Sequence, residues 1–425
     1  MGNLFIRDAL LADPGIPPVK GCCRIVDGVV SETGKLHPQP QEEVLEGRGL
    51  HLIPTLVDAH IHLRVPGGES LETMDSGCGA LWNGGVTTVL VMPNTTPPLE
   101  DPDLVSQQSQ IGKDYGIDIY VAPVCTALRK GEDVSPHIQG NLSRGVRFFT
   151  DDGDSVPTQI LPKVLDALGS KGIHFCHSEE PQLTSGGPLH LPEGCVGGEG
   201  QGWPREGEDV MVSRDIEWGE KKGVWTHLTH LSSKNAVGMV REAKARGSRV
   251  SADTTYHHLL VGQRDVSENP VRWKVNPPIR EQDDQDALWE GLVDGTIDAL
   301  VTDHAPHGRR KEGATLEEAP FGLSSADLTF SLLSTLAHKR GIPFWRLLPW
   351  ATTQPSELLG QNGGRILPGM RANLLLVDPI ESWIPAEEDL LSKGRNVPWL
   401  GWTLTGRIKA RIRQGSLVGR GGELL

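Results

Sequence analysis

The sequence predicts an α/β fold: a (β/α)8 barrel of TIM type beside a small β-domain built from both chain ends. Three observations carry this. Eight short apolar, β-branched runs recur through the middle of the chain, most followed by a helical segment. Nearly every run is bland until its C-terminal end and polar there, the end at which such barrels carry their active sites. The flanks, residues 1–50 and 366–425, read instead as short, broken strands and turns.

The N-terminal flank contains "NLFIRDALLAD", "GCCRIVDGVVSETG" and "EEVLEGRGLHLI". "PGMRANLLLVDP" and "GRIKARIRQGSLVG" near the C-terminus have the same character. Chain termini often lie close together, so these ends are expected to pair beside a catalytic barrel spanning 51–365. The eight runs are "LIPTLVDAHIHL", "VTTVLVMPN", "GIDIYVAPV", "GVRFFTDDG", "GIHFCHSEE", "VWTHLTHLS", "RVSADTTYHH" and "IDALVTDHAPH". Between them "TQILPKVLDALGSKG", "SKNAVGMVREAKARG" and "DDQDALWEGLVDG" read as helices, each ending in a glycine stop.

The first run closes in "VDAHIHLRVPGG". A strand alternates its side chains, so Asp58, His60, His62 and Arg64 are expected to share one face. Two adjacent imidazoles can chelate a metal ion, and a guanidinium beyond them can grip a carboxylate. Later runs end in Asn94, Asp151–Asp152, His177, His230, and the trio Asp303, His304 and His307. Six ligand-type residues converge: His60, His62, Asp152, His177, His230 and Asp303. One tetrahedral metal with an open position needs three protein ligands, so six suggest two metals sharing a carboxylate. Alternation lets only one of Asp151 and Asp152 face the barrel axis. Cys176 should point away from His177 into the core. His257–His258 reads equally as substrate contacts or as strand-end packing.

Composition narrows the function. The net charge of −14 argues against nucleic acid or an anionic membrane surface as partner. The six cysteines form no C-x-x-C pair, which argues against a zinc finger, and so few in this length suggest no disulfide scaffold. With no signal-like N-terminus and no apolar run of ~18 residues, a cytoplasmic protein is expected.

These motifs together resemble the type I dihydroorotases of the amidohydrolase superfamily. "VDAHIHLRVPGG", "VMPNT", "FTDDG", "CHSEE", "HLTHLSS", "VNPPIR", "TDHAPH" and "APFG" occur in that family's order, from about residue 45 to about 375. The resemblance implies two divalent ions, expected to be zinc, with His60, His62 and Asp303 on one, and His177 and His230 on the other. Relatives often bridge the pair with a lysine; here Asp152 matches the branch that uses aspartate. Arg64, Asn94, Asn276 and His307, with His62, match positions that hold the substrate, and the backbone at Phe321–Gly322 would touch its ring. Asp303 would be the catalytic base and then acid. The implied reaction interconverts L-dihydroorotate and N-carbamoyl-L-aspartate in pyrimidine synthesis. Alternatives are a cyclic-ureide hydrolase of allantoinase or hydantoinase type, and a non-catalytic scaffold for aspartate carbamoyltransferase. A homodimer is the expected assembly, with docking onto that transferase open. Two departures bear on substrate positioning: Val65 replaces a glutamate, and Asp327 stands in "SSAD" where glutamate is usual. The segment 308–319, "GRRKEGATLEEA" from Gly308 to Ala319, has the composition of a mobile loop.

Overall fold

The computed structural model describes residues 3–185, 187–191, 202–309, 313–420 and 423–424. Both chain ends build one mixed sheet. From the N-terminus come β1 (Leu4–Leu11), β2 (Val19–Val26), β3 (Val29–Gly34), β4 (Glu43–Glu46) and β5 (His51–Pro54). The barrel strands follow: β6 (Leu56–Ile61), β7 (Val86–Val91), β8 (Asp118–Val121), β9 (Phe148–Phe149), β10 (Ile173–Cys176), β11 (Trp225–Leu228), β12 (Val250–Thr255) and β13 (Ala299–Val301). The chain returns to the first sheet through β14 (Leu374–Trp383), β15 (Leu404–Arg413), β16 (Ser416–Arg420) and β17 (Glu423–Leu424). That sheet runs β17-β16-β15-β14-β5-β1-β2-β3, with β4 on β1.

The expected first barrel run is two strands. His51–Pro54 pairs with β1 and β14, and only from Leu56 does the chain enter the barrel. Thr55 is the joint: its N–H donates to Asn373 O, while Leu56 N–H donates to Gly85 O. The terminal sheet therefore takes in residues 51–54.

The eight barrel strands pair in parallel in two groups, β6-β7-β8 and β13-β12-β11-β10-β9. Thr150 N–H donates to Pro123 O across one seam, and His62 N–H donates to His304 O across the other. A helix follows each strand: Met74–Gly84, Pro102–Tyr115, Ile138–Ser143, Leu161–Leu168, Glu206–Lys222, Lys234–Ala245, Gln282–Val293 and Thr329–Lys339. Two of the three glycine stops read from sequence, Gly247 and Gly295, have positive φ; the first of those three helices stops earlier than Gly172, at Leu168, with Gly169 at positive φ behind it.

Val57, Ala59, Leu90, Phe148, Phe175, Ala299 and Val301 fill the barrel interior. A second core lies between strands and helices. β14 serves two cores by alternation: Leu374 and Leu376 pack into the terminal sheet's own core, Leu375 and Val377 against the barrel's outer layer. Arg411 of β15 donates to the carbonyls of Trp82 and Asn83, placing a cation at the C-terminal end of helix Met74–Gly84.

Candidate active site

At the C-terminal mouth of the barrel lies a cavity of about 290 Å³. Its walls include His62, Arg64, Asn94, Asp152, His177, His230, Asn276, Asp303, His307, Phe321 and Gly322. His60 lies beneath this floor, fully buried. The residues expected at the mouth from scattered strand ends are thus brought together.

Asp152 stands at the centre. Its Oδ1 is 3.2 Å from His60 Nε2, 3.6 Å from His177 Nδ1 and 3.8 Å from His230 Nε2; its Oδ2 is 3.6 Å from His62 Nε2. Asp303 Oδ1 is 3.0 Å from His62 Nε2 and 3.7 Å from His60 Nε2. His177 Nδ1 and His230 Nε2 are 3.0 Å apart. Two overlapping triads result, His60–His62–Asp303 and His60–Asp152–His230.

These residues fit a divalent cation. Among the described residues, buried His60 Nε2 and Asp152 Oδ1 face each other at 3.2 Å without a well-formed hydrogen bond, and His60 Nδ1 has no partner, a cost proteins rarely bear unless another group satisfies them. Imidazole and carboxylate together suit zinc-like ions. Asn94 Oδ1 lies 2.8 Å from His62 Nδ1, so a proton on Nδ1 leaves Nε2 facing the two carboxylates.

The electrostatics agree. Burial pushes His60 down, but the Asp152 and Asp303 carboxylates outweigh it and hold it at about 9. Burial likewise opposes His177, yet Asp152 and Glu179 raise it to about 10. Burial would raise Asp152 and Asp303; the histidines around them carry both below the usual carboxylate range.

The backbone bends to deliver these groups. Arg64, His230 and Asp303 have φ of 61°, 38° and 46°, a region costly for non-glycine residues and concentrated at functional sites. His230 is held there by Asp253, whose Oδ1 accepts its N–H at 2.6 Å while Oδ2 pairs with His227 Nε2 at 2.9 Å. Gly322 has φ 107°, and a Cβ there would come within 2.6 Å of Ala305 Cβ, so that wall is open only to glycine.

Above the cluster, Arg64 Nε donates to Pro306 O and its Nη2 lies 3.2 Å from His307 Nε2. Among the described residues the Arg64 guanidinium has no carboxylate partner. Phe321 is 42% exposed at the rim, its ring 4.4 Å from Lys274 Nζ.

Among the neighbouring residues, Asp58 departs from strict alternation. Asp58 is not on the His60 face: its carboxylate accepts from His60 N–H and from Thr302 N–H and Oγ1. The β6–β7 register slips between Asp58 and Ile61, which breaks the period of two. Asp151 turns away and accepts from the N–H groups of Cys125 and Thr126, leaving Asp152 on the axis. His304 Nδ1 accepts from Ser325 and Ala326 N–H, outside the cavity. His258 bonds Thr255 Oγ1 and Pro277 O, a packing role. Asp327 accepts from Asn83, Leu391 and Ser392, away from the cavity walls. Of 308–319, residues 310–312 lie outside the described residues, as does Cys195. Lys274 Nζ ties the carbonyls of Leu316 and Ala319.

Sequence reasoning missed Glu179. Its Oε2 lies 3.2 Å from His177 Nε2 and accepts from Asn276 Nδ2 at 2.8 Å, and its Oε1 accepts from Thr184 Oγ1. Its position two residues past His177, in "HSEE", was the available signal.

The chain also resembles known proteins. Residues 49–236 match the model of the dihydro-orotase-like family, and residues 195–418 that of the amidohydrolase family. The chain is 35% identical to the dihydroorotase of Geobacillus kaustophilus over 394 residues, covering 90% of this chain and 91% of that one. It is 36% identical to that of Halalkalibacterium halodurans over 401 residues, 92% of each. Among solved structures, L-hydantoinase (dihydropyrimidinase) of Arthrobacter aurescens superposes with a TM-score of 0.87 at 20% identity, covering 100% of this chain and 98% of that one. Dihydropyrimidinase of Brevibacillus agri gives 0.85 at 19%, over 100% and 96%. At that identity the structural likeness establishes the barrel fold, while the sequence relatives establish the family: the chain belongs to the dihydroorotases, within the amidohydrolases, and is a hydrolase of cyclic amide bonds.

Proposed function

We propose that the chain interconverts L-dihydroorotate and N-carbamoyl-L-aspartate, the ring-closing reaction of pyrimidine synthesis, with two zinc ions at the barrel mouth. The observation that carries this reading is the part-buried Arg64 guanidinium, without a carboxylate partner among the described residues, facing a cavity floored by paired histidines and aspartates. Dihydroorotate carries a carboxylate on its ring. Arg64 suits it because a planar fork can bind both oxygens, and Asn94 and His307 stand beside it. Asn276 Oδ1, buried and unpartnered, can accept a ring N–H.

His60, His62 and Asp303 would hold one ion, His177 and His230 the other, with Asp152 between them. Bound there, divalent ions would polarise the scissile carbonyl and make water a better nucleophile. Asp303 takes the proton of the attacking water on its carboxylate and gives it to the departing ring nitrogen as the C–N bond breaks. In ring closure the same carboxylate takes the proton from that nitrogen. The backbone at Phe321–Gly322, on the cavity wall, would touch the ring.

Hydrolysis assays with dihydroorotate, hydantoin and dihydrouracil, coupled to metal analysis of the same sample, test the reading. It expects dihydroorotate to be turned over far faster than the others. Preference for hydantoin or dihydrouracil would replace it with the ureide-hydrolase reading. A homodimer, and docking with aspartate carbamoyltransferase, rest on family resemblance; sedimentation with and without the transferase tests both. Among the described residues no helix is long and apolar enough to cross a membrane.

A further inference from the structure

A second cluster of metal-ligating types lies outside the mouth. Alternation along β10 sends Ile173 and Phe175 into the barrel interior and His174 and Cys176 toward the helix layer. Helix Glu206–Lys222 lays Asp215 against them. His174, Cys176 and Asp215 each offer one ligand atom, all within 4.8 Å of one another. Cys176 Sγ is 3.1 Å from His174 Nδ1.

Asp215 is 1% exposed, and its two oxygens are treated differently. Oδ1 accepts from Arg214 Nε and Nη2 at 2.9 and 2.6 Å. Arg214 is itself anchored on Val156 O and Thr158 Oγ1. Oδ2 is buried and, among the described residues, accepts nothing from Arg214 or the backbone, while the Cys176 thiol faces the same carboxylate. A buried carboxylate oxygen without a strong donor is expensive, and the imidazole and the thiol of the cluster stand within 4.8 Å of this carboxylate.

We propose that His174, Cys176 and Asp215 form a separate structural site for a thiophilic divalent cation of the zinc class, clamping β10 to helix Glu206–Lys222. Sulfur, nitrogen and one carboxylate oxygen suit zinc or cadmium and disfavour magnesium and calcium, which take oxygen. On binding, the Cys176 sulfur exchanges its proton for a bond to the metal, and the proton leaves to solvent. Cys176 immediately precedes His177, so the clamp would steady the strand end that carries a mouth histidine.

Cadmium titration of the full-length, metal-loaded protein tests this, because cadmium–thiolate bonds absorb in the ultraviolet and the mouth cluster contains no sulfur. The expected result is a thiolate band in the wild type that C176S and H174Q each abolish, together with one bound cadmium, while C22S keeps it. D215N, which retains the shape of the side chain, should weaken cadmium binding; with H174Q it decides the matter if C176S does not fold. Absence of the band in the wild type at saturating cadmium overturns the site. So does a band that survives in H174Q and D215N, since the thiol would then bind without its partners. The readout does not involve turnover, so its failure leaves the reading of the mouth untouched.

Discussion

Arg64 and Asp303 separate binding from chemistry. Arg64→Lys keeps the charge but loses the bidentate fork, at about 1.5–3 kcal/mol for a charge-assisted hydrogen bond. Dihydroorotate affinity should therefore fall while metal content stays near wild type; unchanged affinity would remove Arg64 from the carboxylate site. Asp303→Asn keeps the shape but leaves an amide that cannot take a proton near neutral pH. Turnover should drop by roughly 10²–10⁴-fold in both directions. Because Asp303 also faces His60 and His62, metal must be assayed on the same sample; near-normal rates at full occupancy would exclude it as the base. Glu179 lies in a loop after β10 where no periodicity points inward, so only its place two residues past His177 marked it. Its bonds to His177 and Asn276 give it a positioning role. Glu179→Gln should weaken metal affinity by about 10–100-fold, the usual effect of losing a carboxylate behind a ligating histidine. Competition with a chromogenic chelator measures this, and unaltered affinity would make Glu179 a loop strut only.

The elements were legible where a single physical rule governed them. His60, His62, His177, His230 and Asp303 could be placed because barrel strands expose their C-terminal ends to one mouth. Asp58 could not, because the slip in the β6–β7 register is a property of the pairing and leaves no local mark. The division at Thr55 was hidden for a related reason: "LIPTLV" has no break in its apolar pattern beyond Thr55, and a partner strand at least 320 residues away decides which part joins which sheet. Helix Met74–Gly84 offers a test of how tightly such elements are fitted. A Cβ on Gly84 would lie 1.8 Å from Ala326 O, which belongs to backbone and cannot swing aside. Gly84→Ala should therefore cost about 1–3 kcal/mol, the range for overpacking. Thermal denaturation would show it, and an unchanged midpoint would mean that the helix can slide on its neighbour.

At the scale of the whole molecule, the mouth cluster spans the two groups of barrel strands. His60 and His62 come from the β6-β7-β8 group; Asp152, His177, His230 and Asp303 come from the other. Where the groups meet, Thr150 N–H to Pro123 O ties one seam, and His62 N–H to His304 O, with Asp58 on Thr302, ties the other. A cation held by residues from both groups would act across the β6–β13 seam as well as at the reaction centre. Binding that is specific for the native state adds RT ln(1 + [L]/Kd), about 2.7 kcal/mol at a hundredfold excess over Kd. Exhaustive dialysis against a chelator should therefore abolish turnover and lower the melting temperature, and zinc should restore both. Hydrogen exchange should locate the loss: amides of His62 and its neighbours at the β6–β13 seam should exchange faster, while those in β1, β2 and β14 should not change. The contrast matters, because the terminal sheet has its own core and contributes none of the mouth residues. Full activity in a verified metal-free sample would remove the metal from the mechanism. Loss of activity without loss of seam protection would leave a catalytic metal that does not staple the barrel.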